Sequence, residues 1–70
     1  MTTIKRTKFA RSLYARRQAA GLSQRALAKM SGVALGAYQG WETGRSLPRM
    51  GNLVALAKAL QTTAGELCGE

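Results

Sequence analysis

The side chains of this chain that can act chemically are almost all cations. Lysine and arginine number 11 against 3 acidic residues, a formal charge of +8 on 70 residues. Six of these cations (Lys5, Arg6, Lys8, Arg11, Arg16 and Arg17) lie in the first 17 residues. So basic a balance on so small a domain suits a polyanion, because a cation laid against a phosphate releases a condensed counterion. An anionic membrane surface is the competing partner. It calls for a long basic amphipathic helix with an aromatic and aliphatic face, and the apolar positions here are needed for a core. Nucleic acid is the better match.

The other reactive groups exclude most alternatives. There is no histidine, carboxylates number 3, and the single cysteine, Cys68, has no plausible base. General acid–base or nucleophilic catalysis therefore lacks its parts, and the chain is not expected to be an enzyme. Metal ligands are too few, and no glycine-rich phosphate loop occurs, so no metal, cofactor or small-molecule ligand is expected. Cys68 can form no internal disulfide and reads as a small apolar residue. No apolar run approaches the ~20 residues of a membrane span, and no signal-peptide core is present. The expected location is the cytoplasm, at the nucleoid where the polyanion is nucleic acid. One domain of this size buries only about 60% of its unfolded surface, so its stability is marginal and a partner can add to it.

The elements that must hold these cations centre on Gly21 to Gly44, GLSQRALAKMSGVALGAYQGWETG. Ser23 is placed to cap a helix from Gln24 to Ser31. Leu27 and Ala28 give it an apolar contact and a small residue for close packing. Gly32 stands where the chain turns, in a left-handed conformation that glycine tolerates. Val33, Tyr38 and Trp41 carry the buried set into a following helix, from Leu35 to Trp41 or Glu42. Two short helices joined by a tight turn, the second presented outward, are the helix-turn-helix arrangement, which lays a helix in the major groove.

The order of residues carries a resemblance. Gln24, Leu27-Ala28, Gly32-Val33, and Glu42 followed by Gly44 stand at the spacing of the phage-repressor and Cro-like helix-turn-helix family. The similarity runs from about Phe9 to Leu67. It implies an all-α, compact five-helix bundle of the lambda-repressor-like type with a central helix-turn-helix. It also implies an ion pair between Arg17 and Glu42, which would make Arg17 scaffold rather than a DNA contact. The outward positions of the recognition helix, by the same match, are Leu35, Gly36, Gln39, Gly40 and Thr43, and these are the expected base contacts.

Along the chain, residues 1–7 read as a flexible basic arm and residues 8–68 as the domain. The arm is either a plain disordered terminus or a DNA contact through Lys5, Arg6 and Lys8, following the backbone or entering a minor groove. A first helix from Lys8 to Ala20 carries Phe9 and Leu13. Gln24 is positioned at a helix start to meet a phosphate. Arg25 and Lys29, four apart, either add backbone contacts or form a solvated face. Arg45 and Arg49 flank the loop before a fourth helix, from Met50 to Leu60, and are further backbone contacts; Pro48 marks its start. Leu53, Leu56, Ala57 and Leu60 are core. Thr63-Ala64-Gly65-Glu66 has capping-box spacing, so a last short helix begins there. By resemblance that segment helps form a homodimer, with Leu67 toward the core and Glu66 and Cys68 nearer the partner.

The recognition helix departs from its family. Of its outward residues only Gln39 is a usual reader of base edges. Gly36 and Gly40 each cost about 1 kcal/mol of helix propensity, and Ala34 replaces the Ser or Thr that commonly caps this helix. Either the glycines let the backbone approach the groove floor, with Leu35 on a thymine methyl, Gln39 on an adenine and DNA shape adding specificity, or they form a groove for a partner helix. The function implied is a dimeric, sequence-specific transcriptional regulator of the phage-repressor, Cro or restriction–modification-controller type. It would occupy a palindromic operator with recognition helices ~34 Å apart and respond to its own concentration. The alternative is an antitoxin-like interaction module with secondary DNA binding.

Overall fold

The computed structural model describes residues 7–69, and within them the chain is five helices with no strand. They are α1 (Lys8–Ala19), α2 (Gln24–Ser31), α3 (Leu35–Thr43), α4 (Met50–Ala59) and α5 (Ala64–Leu67). Lys5 and Arg6, the expected arm contacts, lie outside the described residues.

Three of the five helix starts are set by side chains that satisfy end groups the backbone leaves unpaired. Thr7 caps α1, its hydroxyl accepting from the Ala10 N–H at 3.1 Å. Ser23 caps α2 the same way, accepting from Ala26 N–H at 3.0 Å. Gly32 (φ 71°) and Gly44 (φ 86°) close α2 and α3 in the left-handed region, where a Cβ is strained. Thr63 caps α5 by accepting from Glu66 N–H at 3.1 Å, and the Glu66 carboxylate accepts from the Thr62 and Thr63 hydroxyls at 3.0 and 3.3 Å. Two starts have no side-chain cap. Ala34 opens α3 and Arg49 opens α4. Pro48 precedes the Arg49 cap, just outside α4.

α1 packs on α3 and α5, α2 packs on α3 and α4, and α4 packs on α5. Every helix gives one large apolar side chain to a fully buried centre: Leu13, Leu27, Tyr38, Leu56 and Leu67, with Ala10 of α1 also fully buried. Phe9, Ala28, Trp41 and Ala57 complete it, with Tyr38 and Trp41 edge to face at 6.4 Å between centroids. Burying one such side chain contributes about 1.5–3 kcal/mol, so removing any of the five loosens two or more interfaces together. The result is a bundle in which α3 is held from behind by α1 and α2. No described helix is long and apolar enough to cross a membrane.

Candidate nucleic-acid interface

Behind α3 lies a cluster of polar groups that share one carboxylate. The Arg17 guanidinium donates from Nε to Glu42 Oε2 at 2.8 Å and from Nη2 to Oε1 at 2.9 Å. Its Nη1 donates to the Leu22 carbonyl at 2.8 Å, and the guanidinium lies 5.4 Å from the centroid of the Tyr14 ring. The Tyr38 hydroxyl also donates to Glu42, and Gln24 Nε2 donates to Glu42 Oε1 at 2.9 Å. Arg17 is 7% exposed and Glu42 1%, so both charges are withdrawn from water and satisfied internally. Burial alone would raise the Glu42 pKa. The hydrogen bonds from Arg17, Tyr38 and Gln24 outweigh it and hold the carboxyl below the usual range. The Tyr38 phenol is pushed well above its ordinary value, first by burial and then by its bond to Glu42. Arg17 is held more firmly protonated by Glu42, against the opposing effect of burial.

This cluster reaches the surface through Gln24. With its amide nitrogen fixed on Glu42, the Gln24 oxygen accepts from Gln39 Nε2 at 3.3 Å. Gln24 Nε2 has a second N–H beyond the one donated to Glu42. Gln39 keeps its amide oxygen and one N–H, the acceptor–donor pair that an adenine edge requires. The two glutamines thus form a short brace from α2 to the exposed side of α3.

On the outward face of α3 the expected contacts separate. Gly36 is exposed, and a Cβ built there meets nothing within 4 Å. Gly40, expected as an outward base contact, is instead covered. It is buried beneath the next loop, and a Cβ there would stand 2.9 Å from Arg45 Nη2 and 3.1 Å from Ser46 Oγ. Leu35, expected to face the groove, is half-buried against the core, so only part of it remains available. Thr43 is exposed, with its hydroxyl donating to the Gly40 carbonyl at 3.2 Å.

The cations divide too. Arg25, Lys29, Arg45 and Arg49 are exposed, Arg49 at the uncapped start of α4. Lys8 belongs to α1 rather than to an arm, and a Cβ at Gly69 would stand 2.7 Å from its Cε. Arg16 donates to the Glu66 carbonyl at 3.3 Å, tying α1 to α5. Nothing in the sequence marks that bond, since its acceptor is a backbone oxygen. The Tyr38 hydroxyl on Glu42 was legible as a spacing of four in one helix, although Tyr38 reads first as core. Glu66 is exposed and Cys68 half-buried, lining an apolar cleft with Phe9, Leu47, Pro48 and Leu53. The exposed side chains of Leu47, Met50 and Val54 lie on the same loop and helix.

Five helices, with an outward α3 braced by a buried Arg–Glu pair, define a helix-turn-helix domain. The chain belongs to the helix-turn-helix family, whose pattern matches residues 13–67. It is 42% identical over 53 residues to the cryptic phage CTXphi transcriptional repressor RstR of Vibrio cholerae serotype O1 (strain ATCC 39315 / El Tor Inaba N16961). That match covers 76% of this chain and 47% of RstR, so the chain spans about half the length of that relative. The P22 c2 repressor, crystallised in complex with a synthetic operator, matches with a TM-score of 0.80 and 39% identity, over 84% of this chain and 89% of that one. The restriction-modification controller protein C.AhdI from Aeromonas hydrophila matches with a TM-score of 0.82 and 38% identity, over 86% and 91%.

Proposed function

We propose that this protein is a sequence-specific DNA-binding transcriptional regulator, a repressor, that binds a palindromic operator as a homodimer and reads it in the major groove through α3. The observation that carries the reading is the construction behind α3. A buried bidentate Arg17–Glu42 pair and the Gln24–Gln39 brace fix the orientation of a helix whose outward face is left to an outside partner. A net charge of +8 suits that partner's being a nucleic acid. The similarity to repressors, one of them crystallised with a synthetic operator, points the same way.

In this reading Gln39 reads a base edge, with Gly36 allowing close approach and Thr43 at the end of the contact. Gln24, Arg25, Lys29 and Arg49 meet phosphates, as would Lys5 and Arg6. The second copy seats beside Glu66 and Cys68, where the cleft and the exposed Leu47, Met50 and Val54 offer apolar area. Selection of bound sequences from a pool of random duplexes tests the whole reading. The expected product is a short inverted repeat, and recovery of unselected sequence would refute it.

A further inference from the structure

We infer that Arg45, laid over Gly40, reads a G·C base pair in the major groove and takes the place of the base-reading side chain that α3 lacks at position 40. The inference rests on the DNA-binding reading above and assigns one contact within it.

At about 100° per residue, Gly36, Gly40 and Thr43 fall within about 60° of one another, on the side of α3 opposite Tyr38 and Trp41. Gly40 is therefore on the outward face by register, and it is buried only because the following loop folds back over it. The left-handed turn at Gly44 (φ 86°) reverses the chain, and the Arg45 and Ser46 N–H groups both donate to the Gly40 carbonyl, at 2.9 and 3.3 Å. That return carries the Arg45 side chain onto the helix, with Nη2 2.9 Å and Nε 3.3 Å from the place a Cβ of residue 40 would occupy. The guanidinium fills the volume that a side chain at position 40 would have used.

Its donors are available. Among the described residues no side-chain hydrogen bond or ion pair holds the Arg45 guanidinium, and the one nearby carboxylate, Glu42, is shared by Arg17, Tyr38 and Gln24. A planar fork of N–H groups matches guanine O6 and N7, which a point charge or a hydroxyl does not. Gly40 is then the seat of the fork. Any Cβ there displaces it, whereas Gly36, with open space above it, carries no such constraint.

The test measures affinities of wild type, Arg45→Ala and Gly40→Ala for every single-base variant of the site that wild type selects, at two salt concentrations. Thermal melts check folding. Wild type is expected to prefer G·C at one position of each half-site by about 5- to 150-fold. Arg45→Ala should abolish that preference and leave the other positions intact. Gly40→Ala should weaken the same preference with the salt slope unchanged, since the charge remains. Uniform weakening by Arg45→Ala, with the slope reduced by about 1 per half-site, would mark a phosphate contact and overturn the inference. An unchanged profile in folded Gly40→Ala would also overturn it. If Gly40→Ala does not fold, Arg45→Ala decides, because Arg45 is exposed. Failure of wild type to select any site would instead refute the DNA-binding reading itself.

Discussion

Arg17 and Glu42, 25 positions apart in sequence, meet through two parallel hydrogen bonds of 2.8 and 2.9 Å and so lock α3 to α1. Both groups are nearly removed from solvent, so the cost of losing one partner is the cost of stranding the other. Arg17→Met should destabilise the domain by about 3–5 kcal/mol, measured by urea titration. Pairing it with Glu42→Gln should cost less than the sum of the two single changes, since the second removes the stranded charge. Additive costs would show that the pair does not act as a unit.

The same cluster sets a pH dependence with a definite sign. Although burial opposes it, Glu42 is held below its ordinary pKa by Arg17, Tyr38 and Gln24. Its contribution is therefore complete above the unfolded carboxylate value of about 4.3 and is lost as pH falls through the folded value. Melting temperature should be level near neutrality and fall below about pH 4.5. Glu66, lowered chiefly by its bond from the Thr62 hydroxyl, acts in the same direction. The Arg17→Met variant separates them: burial then raises the Glu42 pKa, and mild acidification should stabilise that variant. Tyr38, raised by burial and by Glu42, gives the opposite limb, with stability lost as pH climbs above about 10. Identical acid profiles in wild type and variant would remove Glu42 from the explanation.

α3 is assembled from residues that weaken a helix, and the structure allows two of them to be improved. Ala34 offers no side-chain cap, and Gly36 has open space where a Cβ would go. Ala34→Ser and Gly36→Ala should each stabilise by about 1 kcal/mol. On a domain this small that is a rise of roughly 4–8 °C in melting temperature. If the α3 backbone lies close to the groove floor, Gly36→Ala should gain stability and lose operator affinity together. Unchanged affinity would mean that the glycine is not there for close approach.

The apolar surface at the start of α4 gives a separate expectation. Met50 is 68% exposed and Leu47 66%, so neither contributes much to the core of one protomer. Met50→Glu should leave monomer stability within about 0.5 kcal/mol, yet shift the oligomeric state toward monomer in sedimentation and weaken operator binding. A Met50→Glu protein that still forms a dimer would place the second copy elsewhere.

How much of this could be read from the sequence depended on whether a position carries its own chemical mark. Ser23, Gly32, Gly44 and Thr63 each announce a helix end through a hydroxyl or a missing Cβ, and the helices they bound lie where the pattern put them. Ala34 carries no such mark, and there only periodicity placed the start of α3. The pairing of Arg17 with Glu42 came from resemblance, because no local pattern links residues so far apart. The cover over Gly40 was not legible. It depends on a loop turning back across a helix, which brings residues 40 and 45 together through backbone geometry rather than periodicity. The Gln24–Gln39 brace escaped for a similar reason: each amide reads as a surface contact until Glu42 fixes the orientation of the first.

The central claim is that the outward α3 and its flanking cations engage duplex DNA, and the salt dependence of binding to the selected site tests it most directly. Arg25, Lys29 and Arg49 from each of two protomers put the slope of log affinity against log salt concentration at about −5, and further contacts from Lys5 and Arg6 would steepen it. A slope that steep, with binding restricted to the inverted repeat, is the predicted result. A nearly flat response would contradict the account.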